Sequence, residues 1–507
     1  MEAIFSSPPM KRVMAALPAG VELYLVGGAV RDALLGKPSY DLDFVLPAGA
    51  LPLARQLANR MGGAYYPLDP ERDYARIVLE LGGSKGGGDR IKLDFAGFQG
   101  AALEDDLRLR DFTINAMAIS LRQPHRLVDP LGGAGDLVAR RLRACSPASF
   151  ENDPLRILRA VRQAVDHDLL ITNDTRLLMR QASGLLGQVS RERMRDELFR
   201  ILEGRNPRAA LEILDRMEVL GSVLPELLTL QGVEQSPPHI YNVWMHTLEV
   251  VNKLAAVLAV LSSEYHEETA SNLMLGLVSL RLGRFRQAMQ AHLAEQLNPD
   301  RPLRALLYLA ALYHDAGKPA CRREDEAQRI RFIGHEQESE QLAVYRAGEL
   351  RLSNQEIERL RLITRHHMRP FLLGQLEGFP TPRAIYRFFR DTGVAGVDIC
   401  ILSLADMLAT YGPTLKQEDW AHHLDVIRCL MEAWWEHPQQ QVSPPALLNG
   451  HELMAELDLH PGPMLGQLLE AIREAQVVGK VSNRSEAVDL ARSLVQTGLD
   501  NGIHQAD

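Results

Sequence analysis

Two aspartates one residue apart, Asp41 and Asp43, open the apolar run DLDFVL. Residues at i and i+2 of a strand project to the same face, so both carboxylates address one site. Hard oxygen ligands on a rigid strand suit Mg²⁺, which keeps several waters and takes further ligands from phosphate oxygens. Two such ions can activate an attacking 3′-hydroxyl and stabilise a departing pyrophosphate in an in-line displacement. Asp94, in IKLDF, supplies a third carboxylate if its strand lies beside the first pair. Upstream, Gly27 and Gly28 form a turn whose backbone N–H groups can approach a triphosphate closely, with Arg31 and Asp32 at the start of the following helix.

A D-x-D alone is common at exposed strand ends. The joint pattern is far more specific: Gly27, Gly28, Arg31, Asp32, Asp41 and Asp43, then RDFTINAMA from Arg110, then NDPLRILRAVR from Asn152. In this order the motifs resemble those of the class II tRNA nucleotidyltransferase and bacterial poly(A) polymerase family. The resemblance implies that Asp41 and Asp43 bind metal and that Arg110, Asp111 and Asn115 contact the ribose. It implies also that Asp129, Gly133 and Asp136 form a flexible element, and that Asp153 and Arg156 read the nucleobase. Arg159 and Arg162 complete the expected nucleotide-binding set on the same segment. Leu109 and Asn152 depart from the pattern, standing where many relatives carry arginine and glutamate.

Read as one helix, Asp153 and Arg156 lie at i and i+3 on a common face, an acceptor beside a donor. Cytosine and adenine each show an amino donor next to a ring-nitrogen acceptor, so one pair fits either base. Uracil and guanine leave unpaired polar groups, at a cost on the order of 1–3 kcal/mol per contact. The protein then serves as its own template for CTP and ATP. SRERMRDEL, from Ser190 to Leu198, resembles the family's neck helix, with Arg193 and Glu197 one turn apart.

A second constellation follows: His246 in HIYNVWMHTLEVV, His314, Asp315 and Lys318 in LYHDAGKP, and Asp406 in LSLADML. Histidine and aspartate ligands of this kind can bind a divalent transition metal and lower the pKa of its water. The ordered set resembles the HD phosphohydrolase superfamily, in which His335, His366 and His367 match positions that assist phosphate binding or a second metal. The resemblance implies a phosphatase or 2′,3′-cyclic phosphodiesterase. ALLNGHELMAELDLHPGPMLGQLLEAIREAQ resembles the C-terminal helices of the same enzymes.

These groups need rigid elements around them. Up to about residue 130, short β-type runs at Glu22–Val26, Asp41–Leu46, Tyr74–Leu81 and Arg90–Phe95 alternate with helical segments, and the glycine-rich run Gly82–Gly88 reads as a hairpin loop. Beyond Asp129 the pattern is helical almost to the end, with Ala255–Leu297 as an apparent insertion. The expected fold is therefore α+β. A polymerase-β-like nucleotidyltransferase head (1–145) precedes an all-α neck (146–232), an HD domain (233–435) and a helical tail (436–507).

At 507 residues the chain is too long for one core. Its net charge of −9 rules out a general electrostatic attraction to nucleic acid, so RNA must be held by local arginine clusters at 140–143, 156–162 and 191–195. The four cysteines are far apart and suggest neither disulfide nor thiolate zinc site. No membrane span or export signal is apparent, and a cytoplasmic location is expected. The expected partners are the tRNA 3′ end, CTP and ATP; the sequence does not set an oligomeric state. The rival readings are a poly(A) polymerase and an HD nucleotide phosphohydrolase with an RNA-binding head.

Overall fold

The computed structural model describes all residues except Met1, Tyr40, 81–89, His125, 263–271, 299–300, 376–377 and 498–507, so the glycine-rich run at 82–88 lies outside them. The chain divides into two compact units, one formed by Met1–Arg205 with Ala209–Val223, the other by Asn206–Arg208 with Leu224–Asp507. The first unit holds the expected head segment and most of the expected neck segment, while 206–208 and 224–232 of the neck fall in the second unit with the expected HD and tail segments.

The first unit is built on a seven-stranded mixed sheet. Its strands are β1 (Tyr24–Val26), β2 (Asp41–Leu46), β3 (Ala64–Asp69), β4 (Tyr74–Glu80), β5 (Arg90–Gly97), β6 (Ala118–Ser120) and β7 (Leu127–Val128), in the order β3-β4-β5-β2-β1-β6-β7. Only β2 and β5 run parallel, and they place Asp43 opposite Asp94 and Phe44 opposite Phe95. Alternation puts Leu42, Phe44, Leu93 and Phe95 into the core, where the two phenylalanine rings stack at 5.0 Å, and turns Asp43 and Asp94 to the other face. Losing either ring would cost about 3–5 kcal/mol, so the core side secures the register on which the acidic side depends.

The four predicted strands appear with ends shifted by up to two residues. Strands β3, β6 and β7 were not predicted, nor the small pairings Arg141–Leu142 with Leu170–Ile171 and Arg323–Glu324 with Ile330–Arg331. Most are two or three residues long, too short for a periodic signal. The six-residue edge strand β3 is largely exposed and contains Pro67, which an edge tolerates.

Helix α1 (Gly28–Leu34) follows the glycine turn, and α2 (Arg156–Asp166) and α3 (Arg191–Glu203) form the neck segment. The second unit is helical. Its site is carried by α4 (Val243–Val260), α5 (Leu303–Tyr313), α6 (His335–Glu349), α7 (Asn354–His366) and α8 (Ala395–Tyr411). The stretches Val243–Val260 and Ala395–Thr414 are long and apolar enough to cross a bilayer, but 67% and 78% of them is buried inside the protein. They are core helices. Described residues of the apparent insertion join this core as well: Ala255–Val260 completes α4, and His292 Nε2 lies 2.8 Å from buried Asp398 of α8. Three tail helices, Gly450–Leu457, Pro463–Val477 and Arg484–Thr497, pack around a small apolar cluster of their own that includes Leu453, Leu468 and Ala491.

Candidate active sites

In the first unit a cavity of 870 Å³ is lined by every residue expected to hold metal or nucleotide, from Gly27 and Gly28 through Asp41, Asp43 and Asp94 to Arg162, but not by Asp129, Gly133 or Asp136. Arg76, Lys92, Gln163 and Arg200 line it too, and sequence reading had not marked them. Gly27 has φ +72°, and a Cβ there would stand 3.2 Å from both Arg110 Nη1 and Asp43 Oδ2. Only glycine meets both demands, the left-handed backbone and the open approach to the acidic strand.

Among the described residues no hydrogen bond reaches the carboxylate of Asp41 or Asp43; Asp41 accepts the Ser39 hydroxyl, at 2.9 Å, only on its backbone oxygen. Burial pushes the Asp43 carboxyl up to about 6 against the pull of Arg110, with Asp94 and Asp41 adding to the rise. A half-buried, unpartnered carboxylate beside a second one is a donor set that a divalent cation fits. Asp94 does lie beside the pair, as the third-carboxylate reading requires, but its oxygens are occupied. Arg76 Nε and Nη2 reach them at 2.7 and 2.8 Å, and the Tyr74 hydroxyl at 2.7 Å.

A buried polar chain ties the glycine turn to the neck. Arg31 Nη1 donates to Asn115 Oδ1 and to Gln163 Oε1, both at 2.8 Å. Asn115 Nδ2 donates to Asp111 Oδ1 at 3.0 Å, and Arg159 grips Asp111 Oδ2 with Nε at 3.0 Å and Nη2 at 2.7 Å. Burial alone raises the Asp111 pKa, but Arg159, Asn115 and the Phe112 N–H hold it below its ordinary value. Asp111 and Asn115, expected at the ribose, thus also brace the site. Arg110 pairs with Asp106, and Arg162 Nε donates to buried Glu197 at 2.6 Å. Asp129 accepts the Gly133 and Ala134 N–H groups, and Asp136 accepts the Thr113 hydroxyl and Arg143, so the expected flexible element is closely bonded at both ends.

One expectation is corrected. Asp153 does not share a helix with Arg156: it ends the short helix Ser149–Asn152 at φ −151°, ψ 96°, and α2 begins only at Arg156. The cause is Pro154, which drives the preceding residue into extended backbone. Asp153 is held instead by Arg193 Nη2 at 2.8 Å, while Arg156 donates to the Leu109 and Arg110 carbonyls and to Ser149. Both still line the cavity. Arg193 therefore pairs with Asp153, not with Glu197.

In the second unit the four predicted ligands converge. His246 Nε2 lies 3.1 Å from Asp406 Oδ1 and 3.4 Å from Asp315 Oδ2, and His314 Nε2 lies 3.1 Å from Asp315 Oδ2. Those two ring nitrogens are buried without a well-aligned hydrogen bond. His314, His335 and His367 each place Nδ1 at 2.8 Å from the carbonyl three residues earlier, an arrangement that puts the proton on Nδ1 and leaves Nε2 as a lone pair. His335 Nε2 lies 3.2 Å from Asp315 Oδ1, and His367 Nε2 3.4 Å from His335 Nε2. Asp315 therefore stands between two donor groups, His246 and His314 on one oxygen, His335 and His367 on the other. His366 is outside both groups; burial and Arg369 lower its pKa. Consecutive helical residues point about 100° apart, so only one of the pair can face the cluster.

Lys318 Nζ reaches Asp315 Oδ2 at 2.7 Å and Gln235 Oε1 at 2.6 Å. It opens on a cavity of 690 Å³ that also exposes His335 and Asp406 and is walled by Met368, Phe371, Met407 and Tyr411. Gly317 lets the segment after Asp315 touch α6: a Cβ would lie 2.4 Å from the His335 carbonyl oxygen. All four cysteines are free, and none is exposed.

An acid-bearing nucleotidyl pocket in one unit and a histidine–aspartate cluster in the other define the class, a nucleotidyltransferase joined to an HD domain. Family models agree with this division: the poly A polymerase head domain matches residues 23–143, the probable RNA- and SrmB-binding site of polymerase A 168–230, the HD domain 288–410, and tRNA nucleotidyltransferase domain 2 440–491. The chain is 33% identical to the CC-adding tRNA nucleotidyltransferase of Geobacter sulfurreducens, over 95% of each protein. It is 32% identical to the A-adding tRNA nucleotidyltransferase of Deinococcus radiodurans, over 91% of this chain and 93% of that one. Among solved structures, a CCA-adding enzyme in complex with CTP shares its fold, with a TM-score of 0.60, 20% identity and 96% of each chain covered. The chain belongs to the tRNA nucleotidyltransferase family.

Proposed function

We propose that this protein adds C and/or A to the 3′ end of tRNA, using CTP and ATP, at the cavity around Asp41 and Asp43. The observation that carries this reading is the pair of unpartnered carboxylates facing the Gly27–Gly28 turn. Asp41 and Asp43 hold Mg²⁺, which supplies neutralisation of the triphosphate and activation of the RNA 3′-hydroxyl. The backbone at Gly27 and Gly28 admits the phosphates, and Arg110, held by Asp106, adds positive charge beside them. Asp153 and Arg156 offer an acceptor and a donor to the base edge, each fixed from outside the base-reading pair. A tRNA ending before CCA, after C and after CC, offered with each NTP separately, tests the reading. Extension with CTP or ATP on at least one of these ends is expected; no extension of any of them overturns it.

We further propose that the second unit hydrolyses phosphoesters of nucleotides or RNA ends with divalent transition metal held by His246, His314, Asp315 and Asp406. A second ion fits Asp315, His335 and His367. Metal bound there supplies an activated water, while Lys318 stands beside Asp315 to receive phosphate. We place both activities in the cytoplasm.

A further inference from the structure

The bonds made by Asp94 point away from the role of a third ligand. Asp43, Asp94 and Arg76 form one cross-strand row on the cavity face: Asp43 is opposite Asp94 in the parallel β2–β5 pair, and Asp94 is opposite Arg76 in the antiparallel β5–β4 pair. Residues directly opposite have Cβ atoms about 4.5–5.5 Å apart, so the row is set by backbone register. An ionised carboxylate offers about four lone-pair sites. On Asp94 three are filled, two by the parallel Nε and Nη2 bonds of Arg76 and one by the Tyr74 hydroxyl. Burial and Asp94 together raise the Tyr74 pKa, so its proton stays on the phenol and remains donated.

A cation entering the cavity meets Asp41 and Asp43 free and Asp94 already bound in a charge-assisted fork. That fork uses Nε and Nη2 of Arg76 and leaves Nη1 outside the pair. The Arg76 side chain is 33% exposed against 14% for Asp94, and it lines the cavity beside Lys92. Both side chains line the cavity, the guanidinium more exposed than the carboxylate it is bonded to.

We infer that Asp94 is a positioning residue and not a metal ligand: with Tyr74 it holds Arg76 so that Nη1 meets a substrate phosphate. That phosphate belongs to the incoming triphosphate or to the last phosphodiester of the RNA. The inference rests on the reading of Asp41 and Asp43 as the metal pair.

The test compares Asp94→Asn, Arg76→Ala, Arg76→Lys, Tyr74→Phe and Asp43→Asn in the full chain, with Mg²⁺, NTP and tRNA each titrated. Asp94→Asn is expected to keep the Mg²⁺ concentration for half-maximal rate within about twofold of wild type, and to raise one substrate KM about tenfold. Arg76→Ala should give the same shift, and the double variant no further loss, because the two residues act as a unit. Arg76→Lys should recover part of the loss, since it keeps the charge without the fork. A KM rise for NTP assigns the triphosphate, and one for tRNA the phosphodiester. If Asp94→Asn demands about tenfold more Mg²⁺, or abolishes turnover as Asp43→Asn does, Asp94 is a ligand and the inference fails. It fails also if Arg76→Ala keeps both KM values. Where Asp94→Asn does not fold, Arg76→Ala and Tyr74→Phe carry the test. Activity surviving in Asp43→Asn sinks the underlying reading alone, since the Arg76 arms are scored on their own KM values.

Discussion

Asp43 faces Asp94 across the parallel pairing of β2 and β5, yet only Asp94 is hydrogen-bonded, and the Asp43 pKa rises to about 6. A carboxylate whose folded pKa lies above its unfolded value destabilises the fold progressively as pH rises past the unfolded pKa, and fully once pH exceeds the folded one. Asp43→Asn is therefore expected to raise the melting temperature of the metal-free protein at pH 8, with the gain vanishing below pH 3.8, where both forms are neutral. The same variant should lose nucleotidyl transfer by about 10³-fold or more, as expected when a group stabilising the transition state is removed. In the wild type, half-saturation by Mg²⁺ should rise as pH falls through about 6, because cation and proton compete for Asp43. Thermal melts and Mg²⁺ titrations across that range check both halves.

Arg193→Ala should loosen nucleotide choice more than stability. Its side chain is 55% exposed, so the pair with Asp153 contributes at most about 1 kcal/mol to folding. Freed from Arg193, Asp153 no longer presents a fixed acceptor. Incorporation of UMP relative to CMP or AMP should rise about tenfold, roughly the value of one misaligned polar contact. Unchanged discrimination would show that Asp153 is held by other means.

Asp315→Ala should abolish metal-stimulated hydrolysis of a 2′,3′-cyclic nucleotide and leave nucleotide addition within about twofold, since the residues proposed for transfer all lie in the other compact unit. His367→Ala is the finer probe. It should lower bound transition metal, measured by elemental analysis, by one ion per chain while His246, His314 and Asp406 keep theirs.

Gly317→Ala should destabilise the second unit, because the added methyl meets backbone, the His335 carbonyl oxygen at 2.4 Å, and not a movable side chain. An overpacking cost of about 1–3 kcal/mol is expected in denaturant unfolding. Metal affinity should fall with it, as His335 is displaced.

The parts of the sites that lie within one element were readable from sequence. Asp41 and Asp43 alternate with Leu42 and Phe44, and this pattern alone places them on the face opposite the core. His314 and Asp315 sit at the end of a strongly apolar helix and read equally directly. What escaped depends on register between distant strands or on one local conformation. Arg76 meets Asp94 only because β4 and β5 pair in a particular alignment, and neither strand states that alignment. Helical spacing puts Arg193 and Glu197 one turn apart, but it does not show that Glu197 accepts from Arg162 of the neighbouring helix. The separation of Asp153 from α2 was available in principle, since Pro154 follows it. His366 and His367 could not be told apart without knowing which side of α7 meets Asp315.

Arg31 has a wider consequence. Its one guanidinium joins the helix behind the glycine turn to Asn115 and to Gln163 of α2. Three segments drawn from distant stretches of the chain are thereby locked to a common hub. Turning α2 by a single residue would swing Gln163 some 100° off Arg31 and slacken the glycine turn proposed to receive the phosphates. If these segments act as proposed, base choice and the seating of the triphosphate are mechanically inseparable, and a change in one must be answered in the other.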